Sequence, residues 1–317
     1  MTLTQLARMT EDEAREYLEG IRWPNGPICP HCGSVEVTRL NGEAHRAGVL
    51  KCKACREQFT VTVGNIFESS HIPLVKWVMA FHLLCSSKKG ISSLQLQREL
   101  GLGSYRTALF MTHRIREAMT EHVDTALAGI VEMDEAYVGG KPRPGDGKIH
   151  KKGRGTSKTP VVAVVQRSGD SEATPVASVS IASLKSVAGE NIAPGTVLIT
   201  DDLNLYDRVG ESFTGGHRSV NHTDGEYVRY ENGVPIHTNT VESFFALLKR
   251  GHYGVYHSMS RKHLGRYCEE FSFRWDHRKM NDSDRTEAAI KAAEGKRLTY
   301  REMVDGSGDS SAVPASA

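Results

Sequence analysis

The sequence predicts an α/β (α+β) protein, in which a mixed sheet flanked by helices follows a small four-cysteine module and a pair of short helices. Three observations carry the prediction. Two Cys-x2-Cys pairs lie close together near the N-terminus, and helix-period apolar patterns fill most of the chain between them and residue 119. From Gly129 onward, short apolar and β-branched runs bounded by turn residues alternate with further helical patterns.

The first element is an amphipathic helix over residues 3–20, where Leu3, Leu6, Ala7, Ala14, Tyr17 and Leu18 recur among charges and Gly20 ends the pattern. Next come WPNGPICPHCGS and KCKACREQFTVTVG, which set Cys29, Cys32, Cys52 and Cys55 in the spacing C-x2-C-x19-C-x2-C. Each pair puts two thiolates on a tight turn, as tetrahedral Zn²⁺ ligation requires. Two disulfides would use the same residues, but Cys85 and Cys268 are isolated and nothing marks the chain as secreted, so metal is the better reading. Four thiolates leave zinc no open position. One structural Zn²⁺ is therefore expected, with His31 a bystander. Phe59, Val61 and Val63 alternate as a strand that would complete the ribbon.

A helix from Leu74 to Cys85 follows Pro73. Ser92 or Ser93 can cap a helix through Leu100, Gly101-Leu102-Gly103 makes a tight turn, and Ser104 caps a second helix running to about Met119. Two helices joined this way form a helix-turn-helix pattern. The second carries Tyr105, Arg106, Thr107, His113, Arg114 and Arg116, of which Arg106 and Arg114 are the candidate DNA contacts. Many helical hairpins share the pattern without touching DNA.

In GIVEMDEAYVGG, a strand from Ile130 to Val138 holds Asp134 among apolar and β-forming residues. A carboxylate there is either an exposed acid on an edge strand or one that needs a basic partner, hydrogen bonds or a metal ion. Pro160 to Gln166 and TPVASVSI read as two antiparallel strands turned at Ser168-Gly169-Asp170, and Leu184 to Ala188 as a short helix. GTVLITDD forms a fourth strand. Asp201 shares one face with Val197 and Ile199 while Asp202 lies on the other, so only one of them can face the side of Asp134. NHTDGEYVRYENG shows little regular pattern. In HTNTVESFFALLKRGHYGVYH, Thr238 or Asn239 caps a helix with Val241, Phe244, Phe245 and Leu248 on its apolar side. Glu242 and Lys249 stand seven residues apart on nearly the same face, too far for a salt bridge. Residues 261–278 give another amphipathic helix with basic residues among aromatics, and a last helix runs from Arg285 to Val304. The tail DGSGDSSAVPASA has the composition of a disordered segment.

With 317 residues and 39% hydrophobic content the chain can bury a substantial core. It lacks an apolar run of membrane-spanning length, and its charged N-terminus lacks the apolar core of a signal peptide, so a cytoplasmic protein without membrane partners is expected. The net charge is only +2, but Lys141 to Lys158 holds seven Lys or Arg and His150 against one acid, Asp146. That segment is a solvated loop or a phosphate-facing one. Asp134, Asp201 and Glu242 have 66 and 40 residues between them, on the first strand, the fourth strand and a late helix. Three such acids suit in-line phosphodiester chemistry, in which two divalent metals held by carboxylate oxygens activate the attacking oxygen and stabilise the leaving one.

The combination of CPHC…CKAC, IVEMDEAYVGGK, VLITDD and HTNTVESFFALLKRGHYGVYH resembles the insertion-sequence transposases that have an N-terminal zinc ribbon and an ISXO-like DDE catalytic domain. The resemblance covers roughly residues 10–280. It implies a ribonuclease-H-like fold, Mg²⁺-dependent cleavage at the element's ends, with Mn²⁺ as substitute, and transfer of the freed 3′-OH into target DNA. By position, Asp134, Asp201 and Glu242 match the catalytic acids and magnesium ligands, with Asn239 as the alternative third ligand. Lys249, followed by Arg250, matches the basic residue that holds terminal phosphates. The implied partners are double-stranded DNA, both element ends and target, and further copies of the chain in a dimer or larger assembly at the nucleoid. The expected domains are the helix and zinc ribbon (1–66), the helix-turn-helix region (67–122), the catalytic domain (123–282), a C-terminal helix (283–304) and the tail (305–317). Two other functions use the same residues: a DNA-binding regulator with structural acids, and a nuclease of the same fold that does not join ends.

Overall fold

The computed structural model describes residues 1–42, 44–120, 126–140, 156–221 and 225–305. Most of the basic segment 141–158 and nearly all of the tail lie outside the described residues. The chain forms two compact units, each discontinuous in sequence: residues 1–86, 92–119 and 281 onward make the first, and residues 87–91 and 120–280 the second.

In the first unit the helix expected over 3–20 is two helices, α1 (Leu3–Leu6) and α2 (Glu11–Arg22). Thr2 with Gln5, and Thr10 with Glu13, each form a capping box, and the second box starts a new helix where a continuous one was expected. Strands β1 (Val37–Arg39), β2 (Leu50–Cys52) and β3 (Gln58–Phe59) form an antiparallel sheet in that order. Val61 and Val63 do not extend β3. Arg22 Nη1 donates to both of their carbonyls, at 2.8 and 2.7 Å, and the chain turns there instead. Helix α3 (Leu74–Ser86) is followed by α4 (Ser93–Glu99) and α5 (Tyr105–Ala118). Ser92 caps α4 and Ser104 caps α5, accepting from the Gln95 and Thr107 N–H at 3.1 Å each. Between them Gly101 takes a φ of +58°, which glycine adopts at little cost.

The second unit is built on a five-stranded mixed sheet of order β6-β5-β4-β7-β8. Strands β4 (Ile130–Val138), β5 (Thr159–Gln166) and β6 (Ser171–Pro175) form an antiparallel meander. The chain then crosses by α6 (Ile181–Asn191) to β7 (Val197–Asp201), which lies parallel to β4, and after α7 (Leu205–Gly210) adds β8 (His217–Val220) parallel to β7. The third strand starts three residues earlier than TPVASVSI implies and ends at Pro175; the Val176 N–H still donates to the Pro160 carbonyl at 3.0 Å before the chain passes to the α6 cap at Ser180. The stretch read as irregular, residues 221–233, ends in β9 (Arg229–Glu231), which forms a hairpin with β10 (Val234–Ile236) turned at Asn232-Gly233 with φ of +50° and +79°. Asn-Gly is a strong hairpin signal, here flanked by strands too short and polar to stand out.

Helices α8 (Asn239–Gly251) and α9 (Leu264–Asp276) cover one face of the sheet, where Ala136, Val138, Val161 and Ala163 meet Val241, Phe244, Leu248 and Phe271. Helices α6 and α7 cover the other, where Val131, Met133, Val162 and Leu198 meet Leu184, Val187 and Tyr206. Both faces are thus buried, as in the ribonuclease-H-like fold. The chain then returns to the first unit, where the helix expected over 285–304 is α10 (Asp282–Lys291) and α11 (Tyr300–Asp305). Asn281 caps α10, and Arg285 Nη1 donates to the Cys85 carbonyl at 2.9 Å, fixing α10 against the end of α3. No described helix is long and apolar enough to cross a membrane.

Candidate active site and metal centre

Strand period places Glu132, Asp134, Ala136 and Val138 on the α8–α9 face of β4. In the parallel pairing of β4 with β7, Glu132 lies opposite Ile199. Two residues further along each strand stand Asp134 and Asp201, so both project from the same face of neighbouring strands. Asp202 projects from the other face and is exposed. Asp201, the last residue of β7, turns the chain by accepting the Leu203 N–H at 3.2 Å. Glu242 is exposed on the first turn of α8, where the Thr238 hydroxyl donates to its Oε1 at 2.9 Å.

These acids share one electrostatic neighbourhood. Burial above all, with the negative charges of Glu135, Asp201 and Glu242 and against the pull of the Glu135 N–H 2.7 Å away, drives the Asp134 carboxyl up to about 7. The three carboxylates provide hard oxygen donors, and their mutual repulsion is what a divalent cation would relieve, so the residues fit Mg²⁺. They are not drawn together as tightly as a closed metal cage would need. Asn239, the first residue of α8, is exposed and donates its backbone N–H toward His237 Nδ1 at 3.3 Å. Lys249 and Arg250 are exposed on the last turn of α8, with Lys249 Nζ 5.8 Å from the centre of the Phe245 ring.

A folded-state pKa near 7 means that Asp134 keeps a proton that the unfolded chain releases near its ordinary 3.8. Across that window the folded state binds more protons, so rising pH costs stability. Metal-free protein is expected to melt at lower temperature as the pH is raised from about 5 to 8. Asp134→Asn should flatten that slope, and equal slopes in the two proteins would refute the assignment.

Glu132 is a site residue that the sequence pattern does not single out. Its side chain is fully buried, with Oε2 accepting from the backbone N–H groups of Thr240 (2.7 Å) and Val241 (3.0 Å). Its Oε1 accepts from the Thr240 hydroxyl and from Arg167 Nε, both at 2.8 Å. Glu135, on the opposite face, accepts from the Tyr206 hydroxyl at 2.7 Å. A single signal was available for Glu132, its position two residues before Asp134 on the same strand face.

In the first unit the four cysteines are free thiols, with Cys29 and Cys55 Sγ 3.7 Å apart and Cys32 and Cys52 Sγ 3.6 Å apart. All four sulfurs lie within 4.8 Å of one another, the one such gathering of three or more metal-binding side chains among the described residues. Thiols arranged this way, unbridged, fit tetrahedral zinc. A hydrogen bond from the Cys55 N–H is the main influence holding the Cys52 thiol down, to about 6.

The helix-turn-helix region divides its arginines. Arg106 is exposed. Arg114, expected to contact DNA, is 4% exposed instead: Nη2 donates to the Glu68 carbonyl at 2.7 Å, and the guanidinium stacks over Trp77 and Phe110. Burial lowers its pKa to about 10. Helix period sets it on the packed face together with Met111 and Ile115, and His113 and Arg116 are buried too. Arg114→Ala should therefore lower stability by about 1–3 kcal/mol, whereas Arg106→Ala should leave the melting temperature unchanged. Thermal denaturation decides both.

Comparison with known proteins follows the same division. Residues 126–276 match the family model of the ISXO2-like transposase domain, and residues 9–58 match that of the transposase zinc-ribbon domain. A Halobacterium salinarum protein described as an uncharacterized protein in transposable element ISH50 is 30% identical over 280 residues, which is 84% of this chain and 91% of that one. With the four-thiol ribbon ahead of a ribonuclease-H-like sheet and similarity running through nearly the whole of that relative, the chain belongs to the insertion-sequence transposases.

Proposed function

We propose that the protein binds the ends of its insertion sequence, cleaves them at the 3′ side and joins the freed 3′-OH to target DNA, with Asp134, Asp201 and Glu242 as the magnesium ligands. The observation that carries this is the placing of Asp134: a half-buried acid on the same face as Asp201 of the neighbouring strand, and within electrostatic reach of Glu242 on α8, where its carboxyl is driven up to about 7. Mg²⁺ held there would supply the Lewis acidity for displacement at phosphorus. The chain's own part is to hold the three carboxylates on two strands and a helix. Asn239 is a weaker alternative for the third ligand, since a neutral amide attracts a cation less than a carboxylate does.

Lys249 and Arg250, on the helix that carries Glu242, would grip the terminal phosphates, and Arg106 would contact the duplex. One zinc ion in the Cys29–Cys32–Cys52–Cys55 set would hold the ribbon that recognises the ends. Pairing two ends calls for at least a dimer. A strand-transfer assay with a pre-cut 3′-OH end tests the reading. Joined product separates a transposase from a nuclease that only hydrolyses, and absence of both cleavage and joining, with binding intact, would favour a regulator.

A further inference from the structure

We propose that Glu132 is a positioning residue that sets helix α8, and through it Glu242 and Lys249, relative to the strand acids; this rests on the catalytic reading of those two residues. A helix starts with unpaired N–H groups that the residue before it ordinarily caps. Thr238, at that place before α8, makes no side-chain cap; its hydroxyl goes to Glu242. The cap comes instead from Glu132, on a strand more than a hundred residues earlier, which takes the N–H groups of Thr240 and Val241. A carboxylate there also faces the positive end of the helix dipole.

The same carboxylate holds the segment that enters the helix. Arg167, just after β5, donates Nε to Glu132, Nη1 to the Pro235 carbonyl and Nη2 to the His237 carbonyl at 3.0 Å. His237 Nδ1 lies 3.2 Å from Glu132 Oε1 and 3.3 Å from the Asn239 nitrogen, and serves one or the other according to its tautomer. The joint thus lies two residues from Asp134 along the strand, and its partner Thr240 lies two residues from Glu242 along the helix. The link from one acid to the other is therefore short, and every part of it is buried or hydrogen-bonded. A neutral side chain would keep the shape of the joint but lose the charge that both Arg167 and the helix end are matched to.

The test uses full-length Glu132→Gln, compared with wild type by hydrogen exchange, Mn²⁺ titration without DNA, and strand transfer. The expected result is exchange at least tenfold faster in the first turn of α8 with β5 still protected. Mn²⁺ half-saturation should rise about tenfold, and strand transfer should fall about a hundredfold while DNA binding stays within twofold. Wild-type exchange, metal binding and transfer in the folded variant would overturn the proposal. So would uniform loosening of the whole sheet with unchanged Mn²⁺ binding, the mark of a merely structural role. If Glu132→Gln fails to fold, Arg167→Gln, which leaves the carboxylate in place, is read by the same three measurements. If Asp134→Ala keeps full cleavage while Glu132→Gln frees the α8 turn, the catalytic reading falls and the joint stands.

Discussion

Replacing Asp134 or Asp201 by alanine is expected to reduce Mg²⁺-dependent cleavage of element-end DNA by roughly a thousandfold while leaving end binding intact. The size follows from the role. Metal ions supply several kcal/mol of stabilisation to a phosphoryl transition state, and each 1.36 kcal/mol is tenfold in rate. Each substitution removes one of the two strand-borne carboxylates that face the same side of β4 and β7. Asp134→Ala carries a second expectation, since it removes an acid that burial and three neighbouring charges hold near 7. The folded protein should not suffer from the change, and above neutral pH it should melt slightly higher. Cleavage that survives both substitutions would show that the acids are structural and that the cutting site lies elsewhere.

Cys29→Ser should act on a different part of the molecule. The four sulfurs lie within 4.8 Å of one another around a sheet of three very short strands, too small to stand without a staple. In zinc-finger peptides structural zinc contributes on the order of 10 kcal/mol, nearly all of it folding energy. Losing one thiolate should abolish stoichiometric zinc, unfold residues 29–59 and weaken end binding by on the order of a hundredfold. The acids belong to the second unit, so the pH slope assigned to Asp134 should persist in the same protein. Tight end binding by Cys29→Ser in the presence of a chelator would sink this account.

Much of this protein is legible because its signals are local. A Cys-x2-Cys pair is a ligand turn whatever surrounds it, and serine beside a helix-period run caps the helix, as Ser92 and Ser104 do. The strand Ile130–Val138 keeps its predicted bounds because glycines close its run of apolar and β-forming residues at both ends, Gly129 before it and Gly139-Gly140 after it. Where short-range signals compete, the reading slips. Val61 and Val63 alternate like a strand, but Arg22 takes both carbonyls from a distant helix. Strands β8, β9 and β10 have three or four residues each, too few for a period to emerge, and gain their order from neighbours.

From the sequence alone come the ribbon, the mixed sheet with its helices, and the identity of the acids worth testing, since residue type, spacing and strand parity are written in the chain. Only the tertiary structure decides what each charged side chain faces. Arg106 and Arg114 sit on one helix with the same chemistry, and packing against Trp77 and Phe110 assigns Arg114 to the interior. Glu132 and Asp134 share one strand face, and the approach of the α8 N-terminus makes the first a buried helix cap. The second is left among other acids. Burial and partners brought in from elsewhere in the chain set these outcomes, and desolvation makes them large, which no local pattern encodes.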